Sequence, residues 1–156
     1  MSCTKYNVSK DKTDRTYDGI TFDSAMEMAF YRDVLVPNLR SGNITKVTHQ
    51  VPFVLQDAFY NSEGVKVAAV KYVADFCVDL KDGRMLVIDV KGYAEPIALL
   101  KRKMFWNKYP LLFYRWVTYS KIDGGWVDWD IVQKNRAKRR REKKRKELEN
   151  KLNEKE

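Results

Sequence analysis

The period of the apolar positions changes along the chain, and each change marks an element. Between residues 47 and 55, Val47, His49, Val51, Phe53 and Leu55 recur at every second position and share one face, which predicts a strand. Pro52 inside that run suits an edge strand or a bulge. Upstream, "FDSAMEMAFYRDVLVPNL" spaces Phe22, Met26, Phe30 and Val34 near the helical interval, with cap candidates in Asp23 and Ser24. Pro37 and "SGN" close it, so one helix is expected over residues 22–39. Beyond the loop "YNSEG", two more strands are expected at 67–80 and 85–91, joined by "KDGR". "EPIALLKRKMFWNKYP" opens with Pro96 in its first turn and stops before Pro110, a second helix, and "LLFYRWVTY" at 111–119 is a fourth strand. The order is αβββαβ, an α/β fold in a domain spanning residues 21–133. A polar, unpatterned arm (1–20) precedes it, and an irregular "KIDGGWVDWD" followed by a basic, partly helical tail (134–156) ends the chain.

The "KDGR" connection decides which side chains meet. A two-residue loop at Asp82-Gly83 pairs Lys81 with Arg84 and mixes charged with apolar residues on both faces. A three-residue loop, with Gly83 in the left-handed position, pairs Leu80 with Arg84 and separates them. One face then carries Tyr72, Ala74, Phe76, Val78, Leu80, Leu86, Ile88 and Val90, and the other carries Asp75, Asp89 and Lys91 at one end. Burial of one face fixes register, so the three-residue loop is expected. It sets Asp75 directly opposite Asp89, about 5 Å apart, a repulsion that a purely structural hairpin avoids. A hard divalent cation removes the repulsion, and Mg²⁺, with Mn²⁺ as its substitute, takes such carboxylates together with waters and phosphate oxygens. Lys91, two residues from Asp89, shares its face and can hold a water or face a phosphate. The plain alternative for Asp89 and Lys91 is an ion pair at an exposed strand end.

Composition narrows the class. The chain of 156 residues, 44% hydrophobic, suffices for one core. It has no apolar run long enough to span a bilayer, and its N-terminus lacks the apolar stretch of a signal peptide, so a soluble cytoplasmic protein without membrane partners is expected. Two cysteines, Cys3 and Cys77, and one histidine, His49, leave any metal to oxygen ligands. The net charge is +9, of which +7 falls in residues 134–156. That tail, with Arg136, Lys138, Arg139, Arg140, Arg141, Lys143, Lys144 and Arg145, attracts a polyanion such as DNA. It reads equally as a solvated extension with no dedicated ligand.

"VADF" on one strand and "IDVKG" on the next, in an αβββαβ frame, resemble the PD-(D/E)XK nuclease superfamily and, within it, phage-encoded Holliday junction resolvase-like endonucleases. The resemblance covers about residues 17–120, with Ala74 standing where the motif often has proline. It implies a restriction-endonuclease-like core with a central mixed sheet. It also implies a metal-dependent DNA endonuclease in which Asp75, Asp89, Glu27 and the Val90 carbonyl hold the ion, Lys91 serves the nucleophilic water, and Gln50 is a neighbour of the site. Glu27 fits a capping box with Ser24 equally well, and the two roles are compatible. Lys101 and Lys103 on the second helix are candidates for phosphate contact. Branched DNA is the implied substrate, and a homodimer is expected because two strands must be cut at matched places. If the gene is phage-borne, the compartment is the host cytoplasm. The rivals are the same chemistry on duplex, flap or single-stranded DNA, and a nucleic-acid-binding protein without catalysis.

Overall fold

Two adjacent strands, β6 (Val70–Leu80) and β7 (Met85–Val90), are buried almost continuously: Ala74, Phe76, Cys77, Val78, Val87, Ile88, Asp89 and Val90 all lie below a tenth of their full exposure. Burial of successive residues covers both faces of a strand. The single core face expected for this hairpin is therefore only half of what is covered, and the face carrying Asp89 is closed as well. A computed structural model describes residues 11–153 of the chain. The first ten residues of the expected arm and the last three of the tail lie outside the described residues.

The chain divides into two compact units, one ending at Arg115 and one beginning at Trp116. Before the hairpin, a short ribbon pairs β1 (Thr16–Tyr17) with β2 (Ile20–Thr21) across Asp18-Gly19, both with positive φ (52° and 76°). This is the geometry of a tight two-residue hairpin loop, where the sequence pattern suggests only an unstructured arm. The helical segment that follows is continuous but not uniform: α1 (Ala25–Phe30) passes through a π turn at Tyr31–Leu35 into α2 (Val36–Arg40). Pro37 supplies the reason. It cannot donate a backbone hydrogen bond, and its ring clashes with the carbonyl four residues back, so the turn ahead of it widens. The Val36 N–H donates to Tyr31 O, five residues back, and Pro37 opens the next helical stretch instead of ending the first.

β3 (Ile44–Gln56) follows and pairs antiparallel with β6, with the alternating burial expected from its sequence. The "YNSEG" loop folds on itself as a small ribbon of β4 (Phe59–Tyr60) and β5 (Lys66–Val67). After β7 come α3 (Pro96–Lys108) and β8 (Phe113–Ser120). A five-stranded mixed sheet in the order β3-β6-β7-β8-β9 results, β3 being the edge that accommodates Pro52. In the second unit a 3₁₀ turn at Lys121–Asp123 leads to β9 (Gly125–Asp128), antiparallel to β8, and then to α4 (Trp129–Asn153). The stretch read as irregular is thus a strand, and the helix begins ahead of the basic run.

The first unit's aromatic side chains pack in two groups. Phe22, Phe30, Tyr31, His49 and Phe76 gather with ring centroids 5.1–6.3 Å apart. Phe53, Tyr72, Phe105, Tyr109 and Tyr114 form the other group. Both groups are consistent with the offset and edge-on contacts that aromatic pairs prefer.

Candidate active site

The turn between β6 and β7 has the three-residue form. Leu80 N–H donates to Arg84 O at 2.8 Å, Gly83 N–H donates to Leu80 O at 3.0 Å, and Gly83 takes φ 83°. Phe76 then pairs with Ile88, Cys77 with Val87 and Val78 with Leu86. Carried one residue further, that register brings Asp75 level with Asp89. At this point a side chain takes over from the backbone: Asp75 Oδ2 accepts the Val90 N–H at 2.7 Å.

Asp89 retains 1% of its exposure. Its Oδ2 forms an ion pair with Lys91 Nζ, a close contact without the alignment of a hydrogen bond, so the buried oxygen keeps unused accepting capacity. The Lys91 side chain is 23% exposed and reaches solvent from this pair. The i, i+2 ion pair is therefore present, but it is not at an exposed strand end.

Glu27 reaches the same neighbourhood from α1. A Cβ placed on Gly92 would sit 3.6 Å from the end of the Met26 side chain, so the end of β7 lies against this helix. Ser24 caps the helix: its Oγ accepts the Glu27 N–H at 3.1 Å and donates to Glu27 Oε1 at 2.8 Å, while Asp23 N–H donates to Oε2 at 3.2 Å. The capping role is thus formed, and its geometry leaves Glu27 buried at 7% exposure. Burial, with the charges of Asp23 and Asp89 nearby, raises the Glu27 pKa above the ordinary carboxylate range.

The same crowding acts more strongly on Asp75. Burial first, then the charges of Asp89 and Glu27, push its pKa up to about 9, against the opposing pull of the Val90 N–H and Lys91. With Asp75 and Glu27 both raised beside the Asp89 charge and a single lysine among them, the group carries more negative charge than it holds comfortably unaided.

Gln50 lies in the same row on β3. His49 pairs with Phe76 and Val51 with Ala74, which sets Gln50 level with Asp75, yet Gln50 makes no ladder pair and takes φ 51°. A non-glycine residue in the left-handed region costs on the order of 1–2 kcal/mol, and such strain collects at functional sites. His49 itself packs among Phe22, Tyr31 and Phe76, and burial lowers its pKa, as befits a core residue.

Tyr72 is the neighbour that sequence patterning misses. It fits the core face of β6, but its buried hydroxyl lies beside Asp89 and Tyr114, and burial followed by the Asp89 charge pushes its ionisation far above the usual phenol range. Only its position three residues before Asp75 hints at this.

The remaining cations stand in separate settings. Lys101 Nζ donates to the Lys71 carbonyl at 2.8 Å, Arg102 is buried with its guanidinium 4.5 Å from the Trp106 ring centroid, and Lys103 is exposed. On α4, Arg139 is bound to Asp123, and Lys138, Lys143 and Arg145 each stand 3.5–4.0 Å from a glutamate four residues on. Arg136, Arg140, Arg141 and Lys144 are exposed.

The donor set of Asp75, Asp89 and Glu27 is all carboxylate oxygen, and with the unused capacity on Asp89 it suits a hard cation such as Mg²⁺ or Mn²⁺. Among the described residues no three His, Cys, Asp or Glu side chains are already gathered as ligands, so the fit rests on the Asp75–Asp89 pair, with Glu27 adjoining. The sequence matches no curated protein. Residues 3–123 match a family described as protein of unknown function, DUF1064. That span holds every residue of the row and of α1, and the chain belongs to the DUF1064 family.

Proposed function

We propose that the chain is a metal-dependent DNA endonuclease with a restriction-endonuclease-like core of the PD-(D/E)XK type, acting on Holliday junctions or related branched DNA. One observation carries the reading: a buried acid, Asp89, and a half-buried one, Asp75, stand level on adjacent central strands, and Asp89 is ion-paired to a lysine two residues on that reaches solvent. A structural sheet gains nothing from burying that repulsion, whereas a phosphodiester hydrolase needs it to hold a cation.

In this reading Asp75 and Asp89 hold Mg²⁺ or Mn²⁺, with Glu27 and the Val90 carbonyl adjoining. When bound, the cation supplies charge neutralisation at the phosphate and a lowered pKa for water. Asp89 positions Lys91 through their ion pair, and the Lys91 ammonium donates to a phosphate oxygen or orients the attacking water. Asp75 fixes the strand end through the Val90 N–H, and the Ser24 cap holds Glu27 in place. The cations of α4 add affinity with little sequence information. Paired incisions in a junction call for a two-fold homodimer.

A second reading, a nucleic-acid-binding protein without catalysis, is favoured by the lack of a ready-made three-ligand cluster among the described residues. Labelled four-way junction and matched linear duplex, each incubated with the chain in Mg²⁺ or EDTA and with Lys91→Ala alongside, separate the readings. Symmetric Mg²⁺-dependent cuts in the junction alone, absent in the variant, support a resolvase. Equal cutting of both substrates leaves a nuclease without branch preference, and binding without cutting in any divalent metal favours the second reading.

A further inference from the structure

We infer that α4 is a preformed helix that enters the major groove of duplex DNA, aimed by an Asp123–Arg139 lock at its base; this rests on reading the chain as a DNA-binding protein. The lock is local to the second unit. Asp123 Oδ1 accepts from Asn135 Nδ2 and Arg139 Nη1, both at 2.8 Å, and Oδ2 accepts from Arg139 Nη2 at 3.1 Å and from the Ser120 hydroxyl at 2.5 Å. The Asp123 side chain is 3% exposed, and these donors hold its pKa well below the ordinary carboxylate range. Val132 is fully buried, and Trp129 meets Trp116 edge-on at 5.5 Å. About three turns of helix, Trp129 to Arg139, are thereby fixed, and Arg139 serves as a positioning residue and not as a phosphate contact.

Beyond the lock, every residue from Arg140 to Leu152 is exposed. At 1.5 Å per residue this is about 20 Å of helix, roughly six base-pair steps of DNA. At 100° per residue, Arg141 and Arg145 fall on one side, Lys143 and Lys146 on the other, and Arg140 and Lys144 between them. Of these, Arg140, Arg141, Lys144 and Lys146 have no ion-pair partner among the described residues. The distribution selects the partner. A helix lying on an anionic bilayer keeps its cations on one side and a broad apolar face on the other; this one has only Leu148 and Leu152. Two leucines one turn apart are also too few for a coiled coil. Cations on opposite sides suit a groove with phosphates on both walls. A helix about 10–12 Å across fits the major groove of B-DNA, about 12 Å wide, and not the deep, narrow major groove of RNA.

The test uses the full chain in EDTA, so that no cutting intervenes, with a duplex of 24 base pairs. Dimethyl sulfate reads guanine N7 in the major groove, and anisotropy reads affinity from 50 to 200 mM KCl. The wild type is expected to protect N7 over about six base pairs. Replacing Arg140, Arg141, Lys144 and Lys146 by Gln should lower the log–log salt slope by about 3.6 and so remove about a 100-fold fall in affinity over that range. Glu142→Pro keeps every cation but breaks the helix; it should lose N7 protection while it still binds. Unchanged N7 reactivity at saturation, the same protection by Glu142→Pro, or tighter binding to anionic vesicles than to duplex would overturn the inference. Protection with no cutting in Mg²⁺ leaves it standing and counts against the nuclease reading alone.

Discussion

Replacing Asp75 by Asn should stabilise the metal-free protein, and the gain should grow with pH. Asp75 has an ordinary pKa of 3.8, raised in the folded chain to about 9. Between those values the folded chain holds a proton that the unfolded chain has released, so stability is fully present below pH 3.8 and is lost as pH rises toward 9. One proton corresponds to about 1.4 kcal/mol per pH unit. From pH 5.5 to 8.5 the loss is about 4 kcal/mol, a large share of the ~5–15 kcal/mol that holds a domain together. Asn carries no charge to bury, and its side-chain oxygen still accepts the Val90 N–H, so the variant should lack this slope. Urea unfolding in EDTA at four pH values reads it directly: the wild-type curve should fall more steeply by about 1.4 kcal/mol per pH unit. Mg²⁺ should restore the wild type at high pH and leave Asp75→Asn unmoved. Parallel curves for the two proteins would refute the reasoning, because Asp75 would then ionise as freely folded as unfolded.

Other expectations follow from single contacts. Ser24→Ala removes the cap oxygen that accepts the Glu27 N–H and should cost about 1 kcal/mol in a chemical melt. Gln50→Gly relieves the left-handed backbone at φ 51° and should stabilise by up to about 1 kcal/mol while lowering cleavage, which checks whether the strain is kept for the site. Phe76→Ala, at the centre of an aromatic group and fully buried, should cost about 3–5 kcal/mol and leave little folded protein at 37 °C. Asp123→Asn should lower the melting temperature and reduce far-ultraviolet helicity, because Arg139 loses its charged acceptor.

The hairpin register was legible because one loop length separates charges from apolar residues and the other does not. Ser24 was legible as a cap because Glu27 follows at the capping-box spacing. The second buried face of β6 and β7 was not, since Cys77 and Val87 read as an apolar minority beside three charged residues, and nothing local to them says what covers that face. The ribbon at Asp18-Gly19 has a strong turn signal but strands only two residues long, too short to show alternation. Pro37 reads as a stop in sequence; a π turn ahead of it lets the helix continue, an adjustment set by tertiary packing. The role of Tyr72 is not legible in sequence, because its ring fits the core pattern and only its hydroxyl meets Asp89.

The nuclease reading is tested most directly by Mg²⁺-dependent hydrolysis of labelled branched DNA under single-turnover conditions, comparing wild type with Asp89→Asn. A matched thermal melt shows that both are folded. The expected result is cleavage by the wild type and a loss of at least about 10²-fold in the variant, with salt-sensitive DNA binding kept. Equal rates from the two proteins, or no hydrolysis by the folded wild type in Mg²⁺ or Mn²⁺, would contradict it.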